Sequence, residues 1–161
     1  MATLRDAVSA RVLVPLELPA WESRLPIRPL WVTPGLITWA DTTPQLHDTA
    51  LAVGGRTLFE HLLQMFCDFR CAKRFHAGDL RRMTPTKKGI WKMHPAKLRI
   101  YGWCPGTHQF VAVTWAFEAE TKADKKLNDK KRDEVLRFIT SHGLQQTVML
   151  GDILAVFPNQ D

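Results

Sequence analysis

The stretch from Gly89 to Lys122 constrains the fold more than any other part of the chain. It is rich in Trp, Val, Ile, Phe and Tyr, which favour strands, and it is interrupted by Pro95 and by the pair Pro105-Gly106, which favour turns. This pattern indicates three short strands joined by two tight turns. The sequence therefore predicts a three-stranded meander at the centre of the fold.

The middle strand of this meander separates two kinds of side chain. Because side chains alternate between the faces of a sheet, Leu98 and Ile100 share one face while Arg99 and Tyr101 share the other. The first face can close a core. A half-buried arginine on the second face is costly unless it has a partner or a role. The alternation therefore predicts that Arg99, half-buried among aromatic residues, has either a partner or a functional role.

The net charge of +6 is concentrated in the middle of the chain. Between Arg56 and Arg99 there are eleven basic residues and only three acids, whereas both flanks are close to neutral. Such a local excess creates a positive field that attracts polyanions, of which nucleic acids are the commonest. The sequence predicts a surface for nucleic acid, ribosomal RNA in particular, with an acidic protein partner as the main alternative.

The N-terminal third differs in composition from the rest. Six prolines and three tryptophans fall within the first forty-four residues, so long helices are disfavoured and the segment is expected to pack on something. Short strands are predicted around 12–16 and 35–39, one of which would lie beside the meander. We divide the chain into a proline- and tryptophan-rich N-terminal extension, 1–55, and an α+β domain, 56–161. The extension either covers a groove or is an elaborated edge.

Helical patterns lie on both sides of the meander. Thr57 and Glu60 form a capping box that opens a helix predicted to run to about Phe75. A second short helix is predicted over 80–83, which makes a helical hairpin before the meander. A longer helix with a mixed-charge exposed face is predicted to end at about Ser141. The whole is an α+β fold around a small sheet.

The three cysteines favour a reducing compartment, because an odd number argues against a disulfide framework. Cys67 and Cys71 lie one helical turn apart and would suit two ligands of a metal, with His61 or His76 nearby. The alternative is that both are small buried residues of a core helix. Since no apolar run is long enough to span a membrane, a soluble cytoplasmic protein is expected.

Five short motifs follow one another in the chain. They are Leu80-Arg81-Arg82-Met83, Gly89-Ile90-Trp91-Lys92-Met93, Leu98-Arg99-Ile100-Tyr101, Val111-Ala112-Val113, and Phe117 with Thr121-Lys122. In this order they resemble the RelE/HigB toxin superfamily, especially its phage-derived branch, over about residues 58–139. The resemblance implies a RelE/ParE-like fold, with a small antiparallel sheet, a helical hairpin before the meander and a C-terminal helix. It also implies a toxin that cleaves mRNA on the ribosome.

The chemistry of that activity points to specific residues. Cutting RNA without a metal or other cofactor requires a base, an acid and cations that hold the phosphorane. By resemblance, His94 and Arg99 are the catalytic candidates, and we expect them to project from one side of the sheet into a cationic hollow. The residues expected to bind nucleic acid are Lys87, Lys88, Lys92, Lys97, Arg81 and Arg82.

Two departures from the family pattern keep a second hypothesis open. Ala119 and Glu120 stand where the family has paired lysines, and the single tyrosine, Tyr101, lies in the middle strand instead of near the C-terminus. The first hypothesis is a ribosome-dependent endonuclease, with mRNA and an antitoxin as its partners. The second is a catalytically inactive phage or prophage accessory protein of the same fold, which binds nucleic acid or a protein partner.

Overall fold

The computed structural model describes residues 1–17, 27–74 and 78–158. Within these ranges the chain forms one six-stranded sheet with helices packed on both faces. The strands are β1 Val14–Pro15, β2 Leu30–Val32, β3 Leu80–Arg82, β4 Ile90–Met93, β5 Leu98–Trp103 and β6 Phe110–Phe117. The helices are α1 Leu4–Ser9, α2 Pro34–Thr42, α3 Pro44–His47, α4 Leu58–Arg70, α5 Glu118–Ala123, α6 Leu127–Ser141 and α7 Ile153–Val156. The predicted α+β class is confirmed.

The sheet has the order β1-β2-β6-β5-β4-β3 and is mixed. The predicted meander of β4, β5 and β6 is confirmed, with antiparallel pairing on both sides of β5. However, β2 runs parallel to β6, so the prediction of a purely antiparallel sheet is wrong. Paired positions such as Leu30 and Phe110 lie eighty residues apart in the chain. No tight turn therefore dictates the relative direction of these two strands.

Each face of the sheet has its own core. The α4-side core packs α2 and α4 against one face, with Leu62, Phe66 and Ile100 among its buried residues. The α6-side core packs α6 against the other face through Val135 and Ile139. The alternation predicted for β5 is confirmed, since Leu98 and Ile100 lie in the first core and Tyr101 and Trp103 in the second.

A bulge shifts the register of β5 and β6 between Tyr101 and Gly102. The extra residue, Val113, lies on β6, so the alternation along β5 is unbroken. A Cβ atom at Gly102 would lie only 1.8 Å from the carbonyl oxygen of Val111, so no larger residue fits there without moving β6. The glycine thus allows the close approach of two neighbouring backbones at the bend.

The predicted helical hairpin is wrong. Helix α4 begins behind the Thr57 and Glu60 capping box, as predicted, but it ends at Arg70, and Phe75 and His76 lie outside the described residues. Residues 80–82 form strand β3 instead of a second helix. Leu80 is buried in the α4-side core and Met83 in the α6-side core, and positions three apart face opposite sides only in a strand. Pairing with β4 therefore overrides the local helical pattern.

The N-terminal extension is built into the sheet. The strand predicted around 12–16 is confirmed as β1, but 35–39 lies in helix α2, which opens with Thr33 as its cap and Pro34 in its first turn. The strand beside the meander is β2, which the sequence did not reveal. Residues Pro19, Trp21 and Pro26 lie outside the described residues. The division of the chain at residue 55 stays a prediction.

The C-terminal third follows the sequence closely. Helix α6 ends at Ser141, as predicted, and Gly143 follows with a φ of 66°, the left-handed conformation that favours glycine. None of the helices in the described ranges is long and apolar enough to cross a membrane.

Candidate nucleic-acid interface

Strand register brings four basic side chains to one end of the α6 face. Arg81 pairs with Lys92 across β3 and β4, and the backbone amide of His94 donates to the carbonyl of Asp79 at 2.8 Å, so this pairing continues past Met93. Because Met93 pairs with Ile100, the next position places His94 opposite Arg99. The resulting group, called the cationic cluster below, consists of Arg81, Lys92, His94 and Arg99.

His94 is the most strongly perturbed member of the cluster. Its Nε2 atom is buried and has no hydrogen-bond partner among the described residues. Burial, together with the positive charges of Arg99, Lys92 and Arg81, lowers the pKa of His94 to about 3. The imidazole is therefore neutral at physiological pH. A negative charge bound in the cluster would raise this pKa, because part of the shift comes from neighbouring cations.

Lys92 is a half-buried cation without a carboxylate. Its Nζ atom has one polar contact among the described residues, the Oδ1 atom of Asn128 at 3.4 Å. The same oxygen accepts a shorter hydrogen bond, 2.8 Å, from the hydroxyl of Tyr101. Burial, and then the charges of Arg99 and Arg81, lower the pKa of Lys92. Its ammonium group is thus desolvated beside other cations, an arrangement that a bound anion would relieve.

Tyr101 serves this arrangement as a structural residue. Its side chain is fully buried, and burial raises the pKa of its hydroxyl to about 12. It donates to Asn128, at the start of α6, and so holds the amide that faces Lys92. A hydroxyl with such a pKa is a poor base at neutral pH.

A hollow of about 280 Å³ opens beside Lys92, between β3 and the start of α6. This basic hollow is lined by Arg81, Arg82, Met83, Thr84, Lys92, Asn128 and Asp129. Its acid, Asp129, is paired with Arg132 at 2.7 Å, and Arg132 also contacts Asp133 at 3.0 Å. Arg81 is exposed and forms no hydrogen bond or ion pair within the described ranges. The hollow therefore keeps a positive charge that its surroundings do not neutralise.

Arg99 is turned away from the basic hollow. Its Nη2 atom forms an ion pair with Oε1 of Glu118 at 3.1 Å, and its Nη1 atom donates to the carbonyl of Leu98 at 2.6 Å. Glu118 lies at the start of α5 and also binds Lys122 at 2.8 Å. The two catalytic candidates thus share a face of the sheet, as expected, but the expectation that both project into the hollow is wrong, since neither lines it. Of the two, only Arg99 has a counterion.

The other predicted cations lie elsewhere. Lys87 and Lys88 precede β4 on the 3₁₀ turn Thr86–Lys88, at the opposite end of the strand from His94, and Lys88 lies 3.9 Å from Asp133. Lys97 is exposed in the turn between β4 and β5, where it lines a groove of about 600 Å³ with Phe117 and Glu118. Arg82 donates to the carbonyl of Thr86 at 2.6 Å and lines the hollow. The predicted set therefore divides among three surfaces.

The alternative of a metal site gains no support. Within the described ranges, no group of three or more His, Cys, Asp or Glu side chains could hold a metal ion. Cys67 and Cys71 are both half-buried, and His61 hydrogen-bonds to the carbonyl of Val53 at 2.8 Å. Burial raises the pKa of the Cys67 thiol, which disfavours the thiolate that metals bind.

Two residues of this site, Asn128 and Glu118, are not predicted from the sequence. Neither belongs to a recognisable motif, because each reaches the cluster only through the packing of α5 and α6 against the sheet. The mixed charges around them are typical of a solvated helix face.

No protein-family model, curated protein or solved structure matches the chain.

Proposed function

We propose that this protein binds the phosphate backbone of RNA in the basic hollow and does not cleave it. The observation that carries the proposal is Lys92, whose half-buried ammonium lies near Arg99 and Arg81 and contacts only an amide oxygen at 3.4 Å. Placing a desolvated cation among cations costs free energy, and a bound phosphate offsets that cost through charge-assisted hydrogen bonds.

The protonation states of the site favour binding over cleavage. General acid-base catalysis is most effective when the pKa of the catalytic group lies near the working pH. His94, with a pKa of about 3, falls well below that range, and Tyr101, at about 12, falls well above it. Arg99 is paired with Glu118. The cluster therefore has cations for a phosphate but lacks a matched acid and base.

The resemblance to the RelE/HigB superfamily remains part of this proposal. In that context the protein is a phage or prophage accessory protein, located in the cytoplasm, whose sheet and basic face are kept for binding. The order of the motifs between residues 80 and 122 supports this, as does the meander that contains the three central motifs. Ala119 and Glu120, in place of paired lysines, agree with a loss of cleavage.

Salt dependence tests the proposed interface. Binding of a labelled single-stranded RNA is measured by fluorescence anisotropy at several salt concentrations, with DNA of the same sequence in parallel. Removing two phosphate contacts with Arg81→Gln and Lys92→Gln is expected to lower the slope of log affinity against log salt by about 1.4. The control is the double variant Lys125→Gln with Lys126→Gln, which removes the same charge. Both residues are exposed on the connection between α5 and α6.

The control pair decides the outcome of this experiment. If Lys125→Gln with Lys126→Gln leaves the slope unchanged while the Arg81 and Lys92 pair lowers it, the hollow is the binding surface. Equal losses in both pairs would indicate general attraction to the protein and would contradict the assignment. Tighter binding of DNA than of RNA would contradict the choice of RNA.

A second candidate, a metal-independent endoribonuclease, is favoured by one observation. His94 lies opposite Arg99 in register, so a base and a phosphate-binding cation share one position of the sheet. A bound phosphate would raise the pKa of His94 toward its ordinary range by neutralising its cationic neighbours. Controlled expression in bacteria tests this candidate. Growth arrest with mRNA cleavage that His94→Gln abolishes would support the nuclease, and normal growth at high expression would contradict it.

A further inference from the structure

Glu118 is the built-in counterion of the cationic cluster. Its Oε1 atom accepts from Nη2 of Arg99 at 3.1 Å and from Nζ of Lys122 at 2.8 Å. The side chains of Arg99 and Glu118 are only 13% and 24% exposed, so solvent screens their pair less than it screens a surface pair. No other carboxylate of the described residues forms an ion pair with the cluster.

The protein itself occupies both terminal nitrogens of Arg99. Its Nη1 atom is occupied by the carbonyl oxygens of Leu98, at 2.6 Å, and Ala96, at 3.4 Å. The Nη2 atom is directed at Glu118. A guanidinium binds carboxylate and phosphate oxygens with the same donors. A phosphate that binds at Nη2 of Arg99 therefore competes with the Glu118 carboxylate for the same donor.

The surroundings of Glu118 make this displacement feasible. Lys122 already binds the same carboxylate oxygen, so Glu118 keeps a cationic partner after it leaves Arg99. The groove of about 600 Å³ beside α5 is lined by Glu118, Lys97 and Lys122, and it leaves space for the side chain to turn. The backbone of Glu118 is held by a hydrogen bond from its amide to the carbonyl of Lys97 at 2.8 Å. The movement is therefore confined to the side chain.

We propose that Glu118 competes with RNA phosphate for Arg99 and thereby limits the affinity of the cationic cluster. The inference rests on the proposed function and adds a second phosphate subsite, at Arg99, to the one in the basic hollow. The subsite is occupied by the protein's own carboxylate until a phosphodiester replaces it. Glu118 is thus a determinant of affinity that can be separated from the cations themselves.

Three variants test this competition by the same anisotropy measurement. Glu118→Gln is expected to tighten RNA binding about fivefold to tenfold, which corresponds to about 1 to 1.4 kcal/mol. Glu17→Gln is the matched control, because Glu17 is exposed, has no ion pair among the described residues and loses the same charge. Glu118→Asp keeps the net charge but shortens the side chain, so a smaller gain is expected from it. Thermal unfolding confirms that each variant is folded.

An Arg99→Gln variant tests whether the gain in RNA affinity depends on Arg99. In an Arg99→Gln protein, adding Glu118→Gln is expected to change RNA affinity by less than about twofold, since the competition no longer exists. Equal gains from Glu118→Gln and Glu17→Gln, or a full gain in the Arg99→Gln background, would overturn the inference while leaving the proposed function intact.

A separate probe covers the case in which RNA does not bind. If the wild-type protein has no affinity for RNA, the proposed function fails, and the subsite is then measured with inorganic phosphate by thermal shift. Phosphate is expected to stabilise the Glu118→Gln protein more than the Glu17→Gln protein, because only the first variant frees Arg99. Equal shifts in these two variants would overturn the competition at Arg99 as well.

Discussion

The two faces of the sheet use the same strands for different purposes. On the α4 face, β4 and β5 contribute Trp91, Met93 and Ile100, which are at most 2% exposed and lie in an apolar core. On the α6 face, the alternate positions include Lys92 and Arg99, each with a half-buried charge. Burial of the apolar residues on the first face stabilises the fold, whereas the half-buried charges at one end of the second face destabilise it. Strand alternation thus separates stability from binding within a few residues.

Truncating the apolar face gives the largest expected effect. Ile100→Ala is expected to lower the free energy of unfolding by about 2 to 4 kcal/mol, because it leaves a cavity in the α4-side core. Urea unfolding measures this loss, and anisotropy at low temperature measures RNA affinity of the folded protein. We expect that affinity to change by less than about twofold. A large loss of RNA binding in the folded variant would break the proposed separation of the two faces.

Acidification is expected to destabilise the folded protein, chiefly through His94 on the α6 face. The folded pKa of His94, about 3, lies below its ordinary value of 6.5, so the unfolded chain takes up a proton first as pH falls. Stability is therefore complete above about pH 6.5 and decreases below it, by about 1 to 2 kcal/mol between pH 7 and pH 5. Urea unfolding at both pH values measures this. The His94→Gln variant is expected to lose less free energy of unfolding over this pH range. Some pH dependence remains in that variant, because the pKa of His108 is also lowered.

Removing the charge of Lys92 is expected to move stability and binding in opposite directions. Lys92→Met relieves the cost of burying an ammonium beside Arg81 and Arg99, so the free energy of unfolding should stay equal or rise by up to about 1 kcal/mol. RNA affinity should fall about tenfold, because a phosphate partner is lost. Urea unfolding and anisotropy measure the two effects. A substantial loss of stability would show that Lys92 is structural and would remove the main support for the hollow.

Neutralising the opposite end of β4 gives the smallest expected effect. Lys87→Gln with Lys88→Gln should reduce RNA affinity by less than about threefold, since these residues lie outside the basic hollow. The comparison is with the Arg81 and Lys92 pair, which loses the same charge. If both pairs lose affinity equally in anisotropy, the RNA extends along the whole of β4, and the surface is larger than the hollow.

Local patterns in the sequence were sufficient for several elements. The capping box at Thr57 and Glu60, the turn residues of the meander and the glycine after α6 each act over a few residues, and all three are in place. Alternation along β5 also held, because period two is a property of any strand. Conversely, residues 80–82 became a strand because β4 offers hydrogen bonds that a local helical pattern cannot take into account.

The sequence by itself determined the meander, the long helices and the concentration of positive charge before residue 100. Only the tertiary structure decided which charges meet. Arg81, Lys92 and His94 converge because β3 pairs with β4, while Lys87 and Lys88 are left at the other end of the strand. Glu118 reaches Arg99 because β5 pairs with β6, which places the start of α5 beside Arg99. Propensity and charge composition are local properties of a chain, but partners depend on contacts between residues that are distant in sequence.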